Sequence, residues 1–476
     1  MSLKKNFFYS SILTVSTYLF PLLVYPYVSR VLGVSNIGIV NFIDNLVNYF
    51  VLVSMMGITT IGTREIAVAR DKQTLLTKTF SSLMALTAIT TLIAIVALWI
   101  AMYTVHALIP HKNLLYIGIV KLIFNFFLIE WFYMGTENFR YITNRSILIK
   151  TLYVISVFLF VKEASDYKIY YYLSVALVVI NALVNIIYSR HFVKFNLKAI
   201  NIRLYAKPFL LMGIYVLLTN VYLSLNPVWL GFVTNTDEVG YFTTATKLHT
   251  IIMGFLISFA NILFPRVSHL LAEGKTEEFW QKINTAFDAI FLFAFPTIVY
   301  ICVAGPELLS IIVGNGFEGS YTPLRIITPL VLIIGIEQIL VIQILIAMHQ
   351  DYIVLRNSFF GALATFIFNV LLTSSMGAVG SAIVWVIAEL VITTLTIISI
   401  YQHYNYLPPF RRLFNYIVIY APLLIIEIAV YFIITNKFIS VGVLATLTFI
   451  YVAICERYVL KNVVFYQILK SIHLIK

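Results

Sequence analysis

Long apolar runs separated by short polar breaks repeat along the whole chain. Each is about 18–25 residues long, the length a helix needs to cross a bilayer. Fourteen spans can be drawn, at about 8–29, 38–62, 79–104, 113–134, 146–162, 169–189, 208–233, 239–264, 284–304, 323–347, 355–374, 378–400, 415–435 and 439–456. The alternating ten-residue pattern of a transmembrane barrel does not occur. The pattern therefore predicts an all-α polytopic membrane protein. The opening, Met1–Lys5 followed by an apolar run, has the outline of a signal peptide. The run continues past Val28 without a small-residue cleavage site, so it reads as a retained first span.

Two stretches share one design, Pro21 to Arg70 and Pro227 to Ala272. An offset of 202 carries Gly38 to Gly240 and Arg64 to Arg266, and an offset of 213 carries Asn125 to Gln338, Glu130 to Gln343 and Asn144 to Asn357. Spans one to six thus echo spans seven to twelve. Two six-span units inserted in the same orientation form a parallel repeat, a layout typical of alternating-access transporters. The predicted domains are an N-lobe at 1–190, a basic cytoplasmic linker at 191–207, a C-lobe at 208–400, and 401–476 with two extra spans and a tail.

Polar residues inside the spans are the candidates for chemistry. Asn41, Asp44, Asn45 and Asn48 follow the spacing i, i+3, i+4, i+7 and share one face of span two. Thr243, Thr246, Lys247 and Thr250 repeat the stripe in span eight. A charge facing lipid at mid-membrane costs about 2.5–3.5 kcal/mol. These faces are therefore expected to line a water-filled lumen that binds substrate; the alternative is interhelical hydrogen-bond glue. Arg30 at the lumen mouth, and Lys121 with Asn125 on one face of span four, join that set. Pro21 and Pro26 should bend the helix before Arg30. Asp44, Glu130 and Glu337 are ion-coupling candidates, because intramembrane carboxyls are functional candidates by default. Arg64 and Arg266, in matched loops after spans two and eight, are candidates for a cytoplasmic gate or headgroup contact. His249 reads as a satisfied interior residue and Glu427 as a helix-pairing one. No catalytic constellation, phosphate loop or metal set is found, so no catalytic residue, cofactor or metal is expected.

Composition agrees: the 476 residues are 61% hydrophobic and 11% charged, too apolar for a soluble chain. The net charge of +12 would suggest nucleic acid in a soluble protein. Here, with the N-terminus placed in the cytoplasm, twenty-four lysines and arginines fall in cytoplasmic segments and six in external ones. That bias puts both termini inside, and no basic domain outside the spans is left to bind nucleic acid. Cys302 and Cys455 form no disulfide framework.

Pro26, Arg30-Val-Leu-Gly33, Gly38, Gly57, Gly62 and Arg64-Glu65-Ile-Ala67 resemble the opening of the polysaccharide-type flippases. These are the O-antigen and capsule repeat-unit exporters of the multidrug/oligosaccharidyl-lipid/polysaccharide flippase superfamily. Trp131 to Asn144, with Gly135-Thr-Glu-Asn-Phe139, is similar to that family's segment after span four. The resemblance implies a V-shaped pair of six-helix lobes plus two C-terminal helices. It implies a transporter rather than an enzyme, a flippase in the inner (cytoplasmic) membrane of a bacterium. Undecaprenyl-pyrophosphate-linked oligosaccharide would pass from the cytoplasmic to the outer leaflet by alternating access, for O-antigen (lipopolysaccharide) or capsule biosynthesis. The implied partners are that lipid-linked oligosaccharide, membrane lipids, H+ or Na+ as coupling ion, and polysaccharide polymerase or chain-length machinery. Three rivals stand beside it. A drug/cation antiporter of the same superfamily should have an acidic, aromatic lumen. A lipid II flippase is chemically nearer. A membrane polysaccharide polymerase or ligase, an enzyme, should carry a large external loop.

Overall fold

Without water in hydrocarbon, backbone N–H and C=O groups must pair within the chain. The computed structural model, which describes residues 3–471, answers with helices and no strand among those residues. The chain divides into two compact units, Met1–Gly240 and Tyr241–Lys476.

Unit 1 holds α1 (Leu3–Met55), α2 (Ile58–Ala69), α3 (Gln73–Thr104), α4 (Lys112–Phe126), α5 (Glu130–Gly135), α6 (Phe139–Phe160), α7 (Tyr167–Ser189) and α8 (Ile202–Val233). Helix α1 carries two predicted spans and runs through Pro21 and Pro26; its backbone leaves helical values at Gly33 (φ 74, ψ 172). A side chain would be strained there, so glycine permits the hinge. Tyr27 donates to the Val161 carbonyl at 2.7 Å and Asn36 to that of Ala164 at 2.9 Å, so both sides of the hinge are tied to the turn between α6 and α7.

Two predicted spans end early. Span two was expected to reach residue 62, but α1 stops at Met55, where Met56 turns left-handed (φ 37). Helix α2 then starts afresh, burying Ile58, Ile61, Ile66 and Ala69 and exposing Arg64 and Val68. Span four was expected to reach 134, but α4 stops at Phe126 and Ile129 is left-handed (φ 39). The break frees carbonyls, and the Asn185 amide of α7 donates to that of Leu128. Helix α5 then packs on α2 so closely that a Cβ at Gly62 would lie 2.6 Å from the Trp131 ring. Small residues that let helices approach supply the packing that hydrophobicity cannot supply in lipid. The basic segment after α7 lies along α3: Asn196 and Asn201 donate backbone N–H to Ser81 and Ser82, each at 2.9 Å.

Unit 2 takes up α9 (Thr236–Ala272) after its first turn. It continues with α10 (Thr276–Val313), α11 (Tyr321–Ile327), α12 (Leu330–Gln338), α13 (Asp351–Phe368), α14 (Ser374–Tyr404), α15 (Phe410–Ile433), α16 (Lys437–Ile454) and α17 (Val463–Ser471). Predicted span ten is broken: α11 and α12 meet at a 40° bend around Pro329, which has no N–H to continue the ladder. Helices α13 and α14 join through a π-helical turn, Asn369–Thr373, and Gly377. Phe287, Phe291 and Phe295, four residues apart on α10, pack with Tyr416 and Tyr420 of α15 to form the core. Glu456, fully buried, accepts both tyrosine hydroxyls at 3.0 and 2.8 Å. Glu427 of α15 takes the Thr448 hydroxyl of α16, a helix-pairing contact. Phe432, Ile433 and Phe449 stand three-quarters or more exposed, as lipid-facing residues do.

Among the described residues nine helices are long and apolar enough to cross a membrane, ten if α11 and α12 form one bent span. Two of the nine, Tyr9–Ala69 and Asp351–Tyr404, each hold two predicted spans, and the total of fourteen stays an expectation.

Gly62→Val should force the buried Trp131 aside. Overpacking of this kind costs about 1–3 kcal/mol, so the melting temperature in detergent should fall; an unchanged value would mean that α2 and α5 have room to spare. A second expectation concerns Arg70, which donates to Glu137 at 2.5 Å and ties α2 to the turn before α6. That bond holds the Glu137 carboxyl below the usual carboxylate range. The tie is therefore complete above the ordinary carboxylate pKa and is lost as pH falls through the depressed one. Both groups are exposed, so global stability should hardly move. The protection factors of amides 136–139, corrected for the intrinsic pH dependence of exchange, should fall in acid, and Glu137→Gln should lower them at neutral pH.

Candidate functional site

The polar stripe on α1 meets α4. Asp44 and Asn48 sit one turn apart, and Lys121 Nζ donates to Asp44 Oδ1 at 2.6 Å and to Asn48 Oδ1 at 2.8 Å. Asn48 Nδ2 closes the triangle to Asp44 Oδ2 at 3.3 Å. The Lys121 side chain is 13% exposed and that of Asp44 33%. Tyr153 of α6 and Tyr170 and the buried Tyr171 of α7 lie within the field of Asp44. The result is a compensated charge pair, inside helices of spanning length, with tyrosine hydroxyls around it. An ammonium carries three N–H donors, and Asp44 and Asn48 take two of them.

The other substrate candidates scatter around this pair. Asn45 donates back to the Asn41 carbonyl of its own helix at 2.8 Å. Asn125 is half-buried at the end of α4, and Arg30 is exposed on α1. The second stripe, on α9, holds the buried Thr243 and the half-buried Lys247. There Thr246 and Thr250 bond back to carbonyls one turn earlier, at 3.0 and 2.8 Å.

Glu130 accepts Arg145 Nη2 at 2.7 Å. Arg145, buried on α6, also donates to Asn185, whose backbone carbonyl takes the Tyr133 hydroxyl at 2.5 Å. A cavity of about 430 Å³ opens beside it, lined by Asn138, Arg140, Tyr141, Asn144, Arg145 and Tyr188. Glu337, 9% exposed on α12, lies beside Glu389 of α14. Of the gate candidates, Arg64 pairs with Glu65 at 2.9 Å on the surface and Arg266 is exposed on α9.

Sequence reasoning placed Asp44 and Lys121 but not their bond, which closes across 77 positions. It missed Arg145 and Asn185, the tyrosines around Asp44, and the link from Glu337 to Glu389. A buried cation such as Arg145 needs an acceptor, and Asn185 at mid-span was the readable signal for one.

The family model described as polysaccharide biosynthesis protein matches residues 3–271. The chain is 24% identical over 411 residues to the "Putative O-antigen transporter" of Escherichia coli (strain K12), covering 84% of this chain and 97% of that one. Its identity to the Shigella dysenteriae protein of the same name is 27% over 406 residues, covering 82% and 98%. Among solved structures, the lipid II flippase MurJ in an inward closed conformation superposes with a TM-score of 0.75 at 14% identity, over 94% of this chain and 98% of that one. An inward-facing multidrug resistance MATE family transporter of the MOP superfamily gives 0.62 at 14%, over 80% and 93%. These likenesses show the fold.

Removing either partner of the Lys121–Asp44 bond strands the other charge. A fully buried pair broken this way loses about 3–5 kcal/mol; with Asp44 partly exposed, Asp44→Ala and Lys121→Ala should each lose roughly 2–3 kcal/mol. The double variant should lose less than the sum by at least about 1 kcal/mol. Strict additivity in thermal or denaturant unfolding would remove the coupling.

Proposed function

The chain belongs to the polysaccharide biosynthesis protein family, and from that premise we propose that it is a flippase for lipid-linked oligosaccharide. The proposed cargo is an undecaprenyl-pyrophosphate-linked repeat unit, carried from the cytoplasmic to the outer leaflet of a bacterial inner membrane by alternating access. Both termini lie in the cytoplasm in this reading.

One observation carries it: the Lys121–Asp44–Asn48 group, a charged cluster held inside spanning-length helices. It belongs to a chain that aligns over most of its length with proteins named as O-antigen transporters. A pyrophosphate-sugar headgroup cannot enter hydrocarbon unaided, since one ion-sized charge costs on the order of 20 kcal/mol by Born estimate. A lysine already desolvated and balanced by an aspartate offers that headgroup a cation by exchange. As the phosphate arrives, Lys121 shifts its donors from Asp44 to the phosphate oxygens. The asparagines of the α1 stripe replace hydration around the sugar. The group pairs one cation with one acid, which suits an anionic cargo better than a cationic drug.

A deletion strain should hold its polyprenyl-pyrophosphate oligosaccharides on the cytoplasmic leaflet, inaccessible to an impermeant probe, until the gene is restored. Asp44→Asn and Lys121→Gln should each fail to restore export while reaching the membrane in normal amount. Normal outer-leaflet glycan in the deletion strain, with every other exporter also removed, would overturn the reading.

A further inference from the structure

Unit 2 holds a polar cavity of about 310 Å³ at one end of its helices. Glu307 and Ser310 of α10, Arg325 of α11, Tyr431 of α15 and Lys437 of α16 line it. The predicted spans end or begin at residues 304, 323, 435 and 439, so these side chains stand at the depth of lipid headgroups. Tyr431 donates its hydroxyl to Glu307 Oε1. Glu307 Oε2 is buried and has no hydrogen-bond partner among the described residues. Arg325 spends its Nε–H on the Cys302 carbonyl of α10 at 2.9 Å, which leaves both Nη groups without an acceptor among the described residues. Lys437 Nζ donates to Ser310 Oγ at 3.1 Å, and an ammonium has two further hydrogens to give. Glu307 makes no ion pair with either cation, although all three border the same cavity. Glu318, in the turn before α11, is exposed and accepts the Gly316 N–H at 3.1 Å.

A buried carboxylate oxygen left without a donor is costly, and this one faces a cavity that a donor can enter. The two cations ask for an acceptor in the same space. A purely anionic ligand would set its oxygens against Glu307. A purely cationic one would meet Arg325 and Lys437. A ligand that carries both charges a few bonds apart matches all three groups. The apolar neighbours show what else it carries. Phe432 and Ile433 follow Tyr431, Phe438 and Ile439 follow Lys437, and all four are more than half exposed. Such side chains face acyl chains, so a ligand seated in the cavity leaves it among lipid tails.

We propose that this cavity is a headgroup site for an aminophospholipid of the phosphatidylethanolamine type. The primary ammonium of the lipid donates to Glu307 Oε2, and its phosphodiester accepts from Arg325 and Lys437. Such contacts between ionised groups are the stronger hydrogen bonds. The bound lipid joins α10 and α11 to α15 and α16, the two helices that the sequence repeat leaves out. With both termini in the cytoplasm, as proposed above, the site faces the outer leaflet. That placement rests on the reading above; the headgroup site does not.

The test is native mass spectrometry of the delipidated full-length protein in detergent, titrated with the dioleoyl forms of phosphatidylethanolamine, phosphatidylcholine and phosphatidylglycerol. One phosphatidylethanolamine should be held at least about tenfold more tightly than either of the others, the worth of one hydrogen bond to a charged group. Choline keeps the positive charge but has no N–H for Glu307, and glycerol has no positive charge. Glu307→Gln, in protein of wild-type helix content, should bring phosphatidylethanolamine down to the level of phosphatidylcholine. Lys437→Gln should weaken both several-fold, and Arg325→Lys should keep the preference. A wild type that holds the three lipids equally would overturn the site, and that comparison needs no variant. Tighter binding of phosphatidylglycerol would overturn it in favour of an anionic-lipid site, and so would a preference that survives Glu307→Gln in favour of a site elsewhere. Glycerophosphoethanolamine, the headgroup without its chains, should not displace the lipid at equal concentration; displacement would remove the lipid as the occupant.

Discussion

The structure depends on one constraint: in hydrocarbon no charge and no backbone polar group can be left to water. The break in α4 and the buried charges described above are local settlements of that demand. Lys121 is tolerable because Asp44 and Asn48 accept hydrogen bonds from its ammonium. Where α4 breaks, the Asn185 amide reaches across to the freed Leu128 carbonyl, and the same residue accepts Arg145, which in turn holds Glu130. At the far end of unit 2, Glu456 is held by two tyrosine hydroxyls, and Arg412 covers Asp288 at 2.9 Å. Polar groups that steady one another across helices also fix which helices are neighbours, a task that apolar side chains perform poorly in lipid.

The two units settle the demand differently. In unit 1 the interior charges come as cation with anion. In unit 2 two acids, Glu337 of α12 and Glu389 of α14, lie buried, and Trp385 donates to Glu389. The matched pair of unit 1 is opened by a competing ion.

Much of this was legible in the sequence because it is local. The spacing of Asn41, Asp44, Asn45 and Asn48 is a property of one helix, and all four fall on α1. Helix ends were less legible. Met56 and Ile129 are left-handed without being glycine, and nothing in their neighbourhood signals that tertiary contacts hold them so. Partnerships were least legible of all. Lys121 was placed on a polar face, but its bond to Asp44 depends on how α4 lies against α1. Glu389 drew little notice in the sequence, because one glutamate in a span says nothing about a second glutamate across from it. The matched stripe on α9 shows the opposite limit: its spacing is real, yet two of its threonines spend their hydroxyls on their own helix.

The connection at Gly33 bears on how this chain can be handled. Two spans of unit 1 are joined there by a single residue with a positive φ, tied on both sides to the turn between α6 and α7. A hinge so short has no slack for an inserted epitope, a protease site or a split point. Sidedness will have to be mapped from longer connections, such as the stretches around Pro110 and Asn436. Fragments meant for reassembly should keep residues 3–55 intact, since both sides of Gly33 are held by the same turn.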